Sequence, residues 1–155
     1  MHKIKIIGCG SLLMGDDAAG CIAARKLQKI DLPEHITVIE AGTPGLNLLN
    51  IMNPGERVII IDAVVTDSPM GKLDVFSQDE IPLPSQMPLS AHQLAIPEAL
   101  ALGRMVQPEL MPASVEIWGI NVKLPITMKF SLSPVIEKSV NQVVKKILNE
   151  VICIE

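Results

Sequence analysis

The sequence predicts an α/β protein: one three-layer domain over residues 1–155, with a twisted, mainly parallel five-stranded sheet and helices on both of its faces. Three observations support this prediction. Strand-like and helix-like segments alternate along the chain. The run Val58-Ile59-Ile60-Ile61 has four consecutive β-branched residues, which favour a central strand buried on both faces. The length of 155 residues suits a single domain, and no linker or repeat divides it.

Five short apolar runs are the predicted strands. They span residues 3–7, 35–40, 58–61, 72–76 and 114–120. The fourth run alternates between apolar and polar residues more than the others, which indicates an edge strand. Right-handed crossovers bring the loops after the first and third strands to the same carboxyl edge of such a sheet, where ligands bind.

The first two helices follow the first two strands. Asp16 or Asp17 is expected to cap a helix that continues to about Ile30, because aspartate is a favoured N-cap residue. A short helix over residues 46–52 is expected to end at Asn53-Pro54-Gly55, a strong helix breaker.

Two prolines position the later helices. Pro97 is expected in the first turn of a helix, because deeper inside it would remove a hydrogen bond, and this places His92 in the loop or turn just before that helix. Ser133 is expected to cap the last helix, with Pro134 at its first position. The apolar stripe of this helix consists of Ile136, Val140, Val143, Val144, Ile147 and Val151.

Composition excludes several classes of function. A net charge of −4 leaves no large basic patch, and an aromatic content of 2% gives few stacking platforms, so nucleic-acid binding is not expected. The N-terminal apolar run is too short for a signal peptide, and no apolar run is long enough to cross a membrane. Cys9, Cys21 and Cys153 show no metal-binding spacing and indicate free thiols in a cytoplasmic protein.

A glycine-rich loop, GCGSLLMGDDAAG at residues 8–20, follows the first strand. Its beginning resembles a dinucleotide-binding fingerprint, but Leu13 stands where the third glycine belongs. Asp16 and Asp17 would also place negative charge where a pyrophosphate needs a free helix N-terminus. The loop therefore favours a cation over a nucleotide.

Three residues are candidate metal ligands at this edge: Asp17, Asp62 and His92. Asp62 directly follows the buried strand, so its carboxylate must be hydrated, hydrogen-bonded or bound to metal. Each residue also has a structural interpretation: Asp17 as a helix cap, Asp62 as a strand end and His92 as an ordinary loop histidine. Together they supply oxygen and nitrogen donors that suit Zn²⁺, Ni²⁺ or Fe²⁺ and leave further coordination positions of the metal open. His2 and His35 lack such a context and are expected at the surface.

Over essentially its whole length, the chain resembles the maturation endopeptidases of nickel–iron hydrogenases. The matching blocks are GCGSLLMGDDAAG at 8–20, EAGTPG at 40–45, VIIIDA at 58–63, SAHQL at 90–94, WGIN at 118–121 and LSP at 132–134. The resemblance implies a cytoplasmic protease that removes the C-terminal extension of the hydrogenase large-subunit precursor after nickel insertion.

The resemblance also implies roles for single residues. Asp17, Asp62 and His92 match the family's metal-contacting acid, acid and histidine, and the metal is then the nickel of the substrate or a resident Zn²⁺. Ser11 departs from the asparagine usual in the family, which puts the geometry of this loop or its recognition of the substrate in question. Cys9 is not expected to be a nucleophile, because no histidine is near it in sequence.

Two other kinds of function remain open from the sequence. The glycine loop could serve a non-catalytic nucleotide- or metal-binding module, or the protein could be an assembly chaperone that holds the large subunit without cutting it. A monomer is expected in each case.

Overall fold

The computed structural model describes residues 2–77, 79–80 and 91–152, with the backbone alone for residues 91–95. The five strands are β1 (Ile4–Cys9), β2 (Ile36–Gly42), β3 (Arg57–Val64), β4 (Leu73–Ser77) and β5 (Ser114–Asn121). They form one sheet in the order β2-β1-β3-β5-β4, in which only the edge strand β4 is antiparallel to its neighbour. The predicted α/β fold with a mainly parallel five-stranded sheet is confirmed.

In the described part of the chain, four helices connect or follow the strands: α1 (Ala19–Gln28), α2 (Leu48–Ile51), α3 (Ala91–Val106) and α4 (Pro134–Ile147). Short 3₁₀ turns at Gly15–Ala18 and Gly45–Asn47 precede α1 and α2, another at Pro108–Leu110 follows α3, and a π turn at Leu148–Ile152 continues α4. No helix in the described ranges is long and apolar enough to span a bilayer.

Each face of the sheet has its own apolar core. Strand residues alternate between the two faces, so Ile59 and Ile61 pack with α1 and α4, whereas Val58 and Ile60 pack with α2 and α3. All four of these β3 residues are fully buried, as the β-branched run predicts. All six residues of the predicted apolar stripe are buried; five lie on α4, and Val151 lies in the π turn that continues it.

Several local predictions were wrong. Asp16 and Asp17 do not cap α1; both lie within the preceding 3₁₀ turn, and no side chain caps either segment. Asp62 does not end its strand, because β3 continues to Val64. His2 is exposed as predicted, but His35 is partly buried.

Pro97 is the seventh residue of α3 and not part of its first turn. The helix begins at Ala91, and consequently His92 lies inside it and not in a preceding loop. Pro97 has no N–H to donate to the carbonyl four residues earlier, but its ring is buried beside the sheet, and this packing offsets part of the loss. The proline-spaced segment 81–90 lies outside the described residues.

Candidate functional site

Glycines allow the loop after β1 to approach the sheet closely. A Cβ atom on Gly20 would collide with the carbonyl oxygens of Ile61 and Cys9, so only glycine lets α1 begin directly against the ends of β1 and β3. Gly10 has a φ of +130°, and a Cβ there would collide with the carbonyl oxygen of Asp17. These contacts hold Asp17 against the carboxyl edge of the sheet.

Asp17 is a buried acid, with only 1% of its surface exposed. Its Oδ2 atom accepts a hydrogen bond of 2.9 Å from the backbone N–H of Ser11. Its Oδ1 atom is buried and has no hydrogen-bond partner among the described residues. A buried carboxylate oxygen without a donor is costly, and an incoming cation would satisfy it.

The Ser11 interaction explains two features of the loop. The backbone of Ser11, and not its side chain, binds Asp17, so serine in place of asparagine leaves this contact intact. The Ser11 hydroxyl accepts a hydrogen bond from the N–H of Leu13 at 3.3 Å instead. A loop N–H that could otherwise bind phosphate is occupied by a carboxylate, which further disfavours the nucleotide interpretation.

Asp62 lies on β3 just beyond the part paired with β1, where the last paired residues are Gly8 and Ile61. Its neighbour on the other side is Gly119 of β5. It is 4% exposed, and its Oδ1 accepts a hydrogen bond of 2.9 Å from the N–H of Ala63. Burial, and next the negative charge of Asp17, raise the pKa of the Asp62 carboxyl well above its usual range.

The structure therefore brings Asp17 and Asp62 together as predicted, although the two residues are 45 positions apart in sequence. Asp17 comes from the glycine-rich loop and Asp62 from β3. His92 lies in the first turn of α3, and its side chain is outside the described atoms. Ile96 and Leu100 pack α3 onto the same sheet face as Ile60, the face to which alternation also assigns Asp62.

The donor chemistry fits a divalent cation. Two buried carboxylates and the unpartnered Asp17 Oδ1 supply oxygen ligands, and nearby like charges favour a bound positive ion. Among the described side chains no three His, Cys, Asp or Glu residues form a metal-binding group. Any further ligand must then come from a side chain outside that set, from water or from the substrate.

Cys9 is buried beside these acids and is a poor nucleophile. Burial, and next the charges of Asp62, Cys21 and Asp17, raise the pKa of the Cys9 thiol well above its ordinary value. The thiol stays protonated at neutral pH, and a protonated thiol attacks carbonyls slowly. Cys21 donates its S–H to the carbonyl of Gly10 at 3.2 Å, and burial raises its pKa to about 11.

The sequence did not reveal the role of Asp16. Its carboxylate accepts hydrogen bonds from the backbone N–H of Ser133 at 2.7 Å and from the Ser133 hydroxyl at 2.9 Å. It thereby fastens the N-terminus of α4 to the glycine loop. The only sequence signal was the doubling of the aspartates, since a single acid was enough to explain a helix cap.

Comparisons with known proteins agree on one family. The family model HycI, described as hydrogenase maturation protease, matches residues 21–150. A putative hydrogenase maturation protease of Methanocaldococcus jannaschii is 31% identical over 150 residues, which cover 96% of each chain. The hydrogenase 2 maturation protease of Escherichia coli K12 is 25% identical over 148 residues, covering 94% of this chain and 88% of the relative.

Solved structures have the same fold. The nickel–iron hydrogenase maturation protease HybD from Thermococcus kodakarensis superimposes with a TM-score of 0.78 at 30% identity, covering 97% of this chain and 99% of that one. The hydrogenase maturating endopeptidase HybD from E. coli gives a TM-score of 0.82 at 24% identity, over 95% of this chain and 90% of that one.

Proposed function

The chain belongs to the hydrogenase maturation protease family, and we propose that it is the endopeptidase that removes the C-terminal extension of a nickel–iron hydrogenase large-subunit precursor after nickel insertion. One observation carries the proposal: Asp17 and Asp62 are buried side by side without a cation among the described groups, and Asp17 Oδ1 has no hydrogen-bond partner there.

Asp17 and Asp62 would contact the nickel of the loaded precursor, and His92, near the start of α3, would supply a third donor. The acidic site would bind a terminus that presents a metal ion more strongly than one that does not. Binding would then be strongest for the filled large subunit, so the cut would follow nickel insertion. In this version the metal belongs to the substrate, and the protein needs no resident cofactor.

The attacking group would be water, because the buried, protonated thiol of Cys9 is not activated. Burial, and next the charge of Asp17, raise the pKa of the Asp62 carboxyl, so an ionised Asp62 binds a proton more readily than an exposed aspartate does. Asp62, in its ionised form, would accept a proton from the water as the water oxygen bonds to the scissile carbonyl carbon. It would pass that proton to the amide nitrogen as the C–N bond breaks, which leaves a new C-terminal carboxyl group and a free amine. Asp17, held by the Ser11 N–H, would keep its position against the metal.

The direct test compares two forms of the same precursor, one loaded with nickel and one without. Purified protein is added to each, and release of the C-terminal extension is followed by mass spectrometry. We expect cleavage of the loaded form only, and loss of cleavage in Asp17→Asn and His92→Ala. Equal cleavage of both forms would remove the nickel-sensing role, and maturation by all variants would favour a chaperone.

Metal analysis separates the substrate-nickel version from a resident-zinc version of the same site. The protein as purified is expected to contain no stoichiometric metal and to cleave loaded precursor in the presence of a zinc chelator that leaves the inserted nickel in place. One equivalent of bound Zn²⁺, lost together with activity on chelation, would assign the metal to the protein itself.

A further inference from the structure

Three large apolar side chains near the site are exposed to solvent. They are Leu13 at 55%, Met128 at 74% and Phe130 at 77%, and we call them the rim patch. The sequence has only three aromatic residues, Phe76, Trp118 and Phe130, and Phe130 is exposed instead of packed in the core. Exposed apolar groups that lie together mark interaction surfaces.

Backbone hydrogen bonds show that these residues do lie together. The N–H of Lys129 donates to the carbonyl of Leu13 at 3.0 Å, and the N–H of Gly15 donates to the carbonyl of Lys129 at 2.8 Å. Met14 and Lys129 thus form a parallel bridge. In this register Leu13 is adjacent to Met128 across the bridge, and Phe130 is two positions after Met128 on the same segment.

The rim patch is physically continuous with the proposed active site. Segment 11–15 carries Leu13, and the same segment donates the Ser11 N–H to Asp17. Asp16, the residue before Asp17, holds the end of segment 122–133 through Ser133. A partner bound to the patch would therefore be held at a fixed position relative to Asp17.

Charge indicates what kind of partner fits. Segment 122–133 contains Lys123 and Lys129 and no acidic residue, although the whole chain has a net charge of −4. Both lysines are exposed, and neither forms an ion pair with a described residue. A cavity of about 120 Å³ opens beside Phe130, and Leu12, Ile22 and Leu132 are among its walls. The complementary surface is apolar, with a protruding aliphatic side chain and carboxylates at its border.

We propose that the rim patch is the docking surface for the folded body of the large-subunit precursor, separate from the contact that Asp17 and Asp62 make with its metal-bearing terminus. This inference rests on the proposed function, which makes a protein the substrate. Docking through the rim patch would supply binding energy that is the same before and during the chemical step. It should therefore affect KM and not kcat.

The test pairs the double variant Met128→Ser/Phe130→Ser with the control Met105→Ser/Val106→Ser. Met105 and Val106 are 83% and 71% exposed at the end of α3, so the control removes a similar amount of exposed apolar surface away from the rim patch. Cleavage of nickel-loaded precursor gives KM and kcat, and calorimetry gives the affinity for the precursor. We expect the rim-patch variant to raise KM and Kd at least tenfold with kcat unchanged, and the control to change neither.

The outcomes separate this inference from the proposed function. Normal cleavage with the same KM in both variants would overturn docking at the rim patch and leave the endopeptidase in place. If the wild-type protein binds the precursor without cleaving it, and only the rim-patch variant weakens this binding, docking is supported and the endopeptidase activity is contradicted. A wild-type dimer that the rim-patch variant converts to a monomer would assign the patch to a second copy of this chain and overturn the inference.

Discussion

Buried charged residues are paired differently at the two edges of the sheet. At the amino edge, Lys5 of β1 and Glu56 just before β3 form an ion pair of 3.0 Å with side-chain exposures of 7% and 9%. Lys5 also donates to the carbonyl of Ile51 at 2.6 Å. At the carboxyl edge, Asp17 and Asp62 are at least as buried, but the neighbour of each is another acid.

The pKa directions follow from this difference. Burial alone would raise the pKa of Glu56, but hydrogen bonds from Lys5 and Asn53 outweigh it and hold the pKa below its ordinary value. Asp62 has no such cation among the described side chains, and its pKa is raised. In a buried ion pair each charge depends on its partner, so removal of one partner alone destabilises the fold. Two buried acids without a cation among the described residues instead form a candidate binding site for one. Substitutions at the two edges should therefore affect different properties.

The largest expected effect is on catalysis at the carboxyl edge. In the proposed mechanism Asp62 is both the proton acceptor and a metal contact, so Asp62→Asn should lower kcat/KM by about 10³-fold, equivalent to about 4 kcal/mol. Its free energy of unfolding should not fall, because a buried uncompensated charge is removed. Precursor cleavage and urea unfolding measure the two properties.

Asp67→Asn is the matched control for that substitution, since Asp67 is an exposed acid in the connection after β3. It should retain full activity. A destabilised Asp62→Asn protein would mean that the carboxylate is part of the structural framework, and the contrast between the edges would disappear.

The next largest effect is on stability at the amino edge. Glu56→Gln should lower the free energy of unfolding by about 3 kcal/mol, because Lys5 would remain as a buried charge without a partner. Precursor cleavage below the lowered melting temperature should stay normal. The double variant Lys5→Met/Glu56→Gln should recover most of the lost stability, and failure to recover it would show that the hydrogen bonds of Asn53 matter more than the ion pair.

A smaller effect is expected at the Asp16–Ser133 contact, which joins the glycine loop to α4. Asp16→Ala should lower the free energy of unfolding by about 1–2 kcal/mol, since it removes two hydrogen bonds to a carboxylate. Asp16→Asn keeps an acceptor for the Ser133 N–H and should lose less. If the two variants unfold at the same urea concentration, the contact contributes through charge and not through hydrogen bonding.

The smallest effect is the pH dependence contributed by Glu56. Because the folded-state pKa lies below the unfolded value, its contribution is present above the unfolded pKa and is lost as the pH falls through the folded pKa. The free energy of unfolding in urea should therefore fall between pH 6 and pH 3 in the wild type, and this fall should be absent in Glu56→Gln. A steeper loss in that variant than in the wild type would contradict the lowered pKa.

Much of the fold was predictable because the relevant signals are local. The β-branched run of β3, the less regular edge strand β4 and the apolar stripe of α4 each reflect which faces of one element are buried. The wrong predictions concern element ends. Pro97 lies inside α3 because the helix begins earlier than the proline suggested, and a buried ring can offset a missing hydrogen bond.

The candidate site was predictable to a similar degree, and for a topological reason. In a parallel sheet the loop after the first strand and the end of the third strand reach the same edge. The topology therefore predicts that Asp17 and Asp62 lie close together. The placement of the His92 side chain stays a prediction. The Asp16–Ser133 contact was missed because its two residues are 117 positions apart.

The sequence by itself determined the class of fold and the sheet edge at which Asp17 and Asp62 come together. Only the tertiary structure decided between two identical neighbours, Asp16 and Asp17. Asp16 binds the N-terminus of α4 and is a structural contact, whereas Asp17 lies near Asp62 and has one oxygen without a hydrogen-bond partner among the described residues. The physical reason is that a carboxylate's role depends on which donors or charges surround it, and here those groups come from distant segments of the chain.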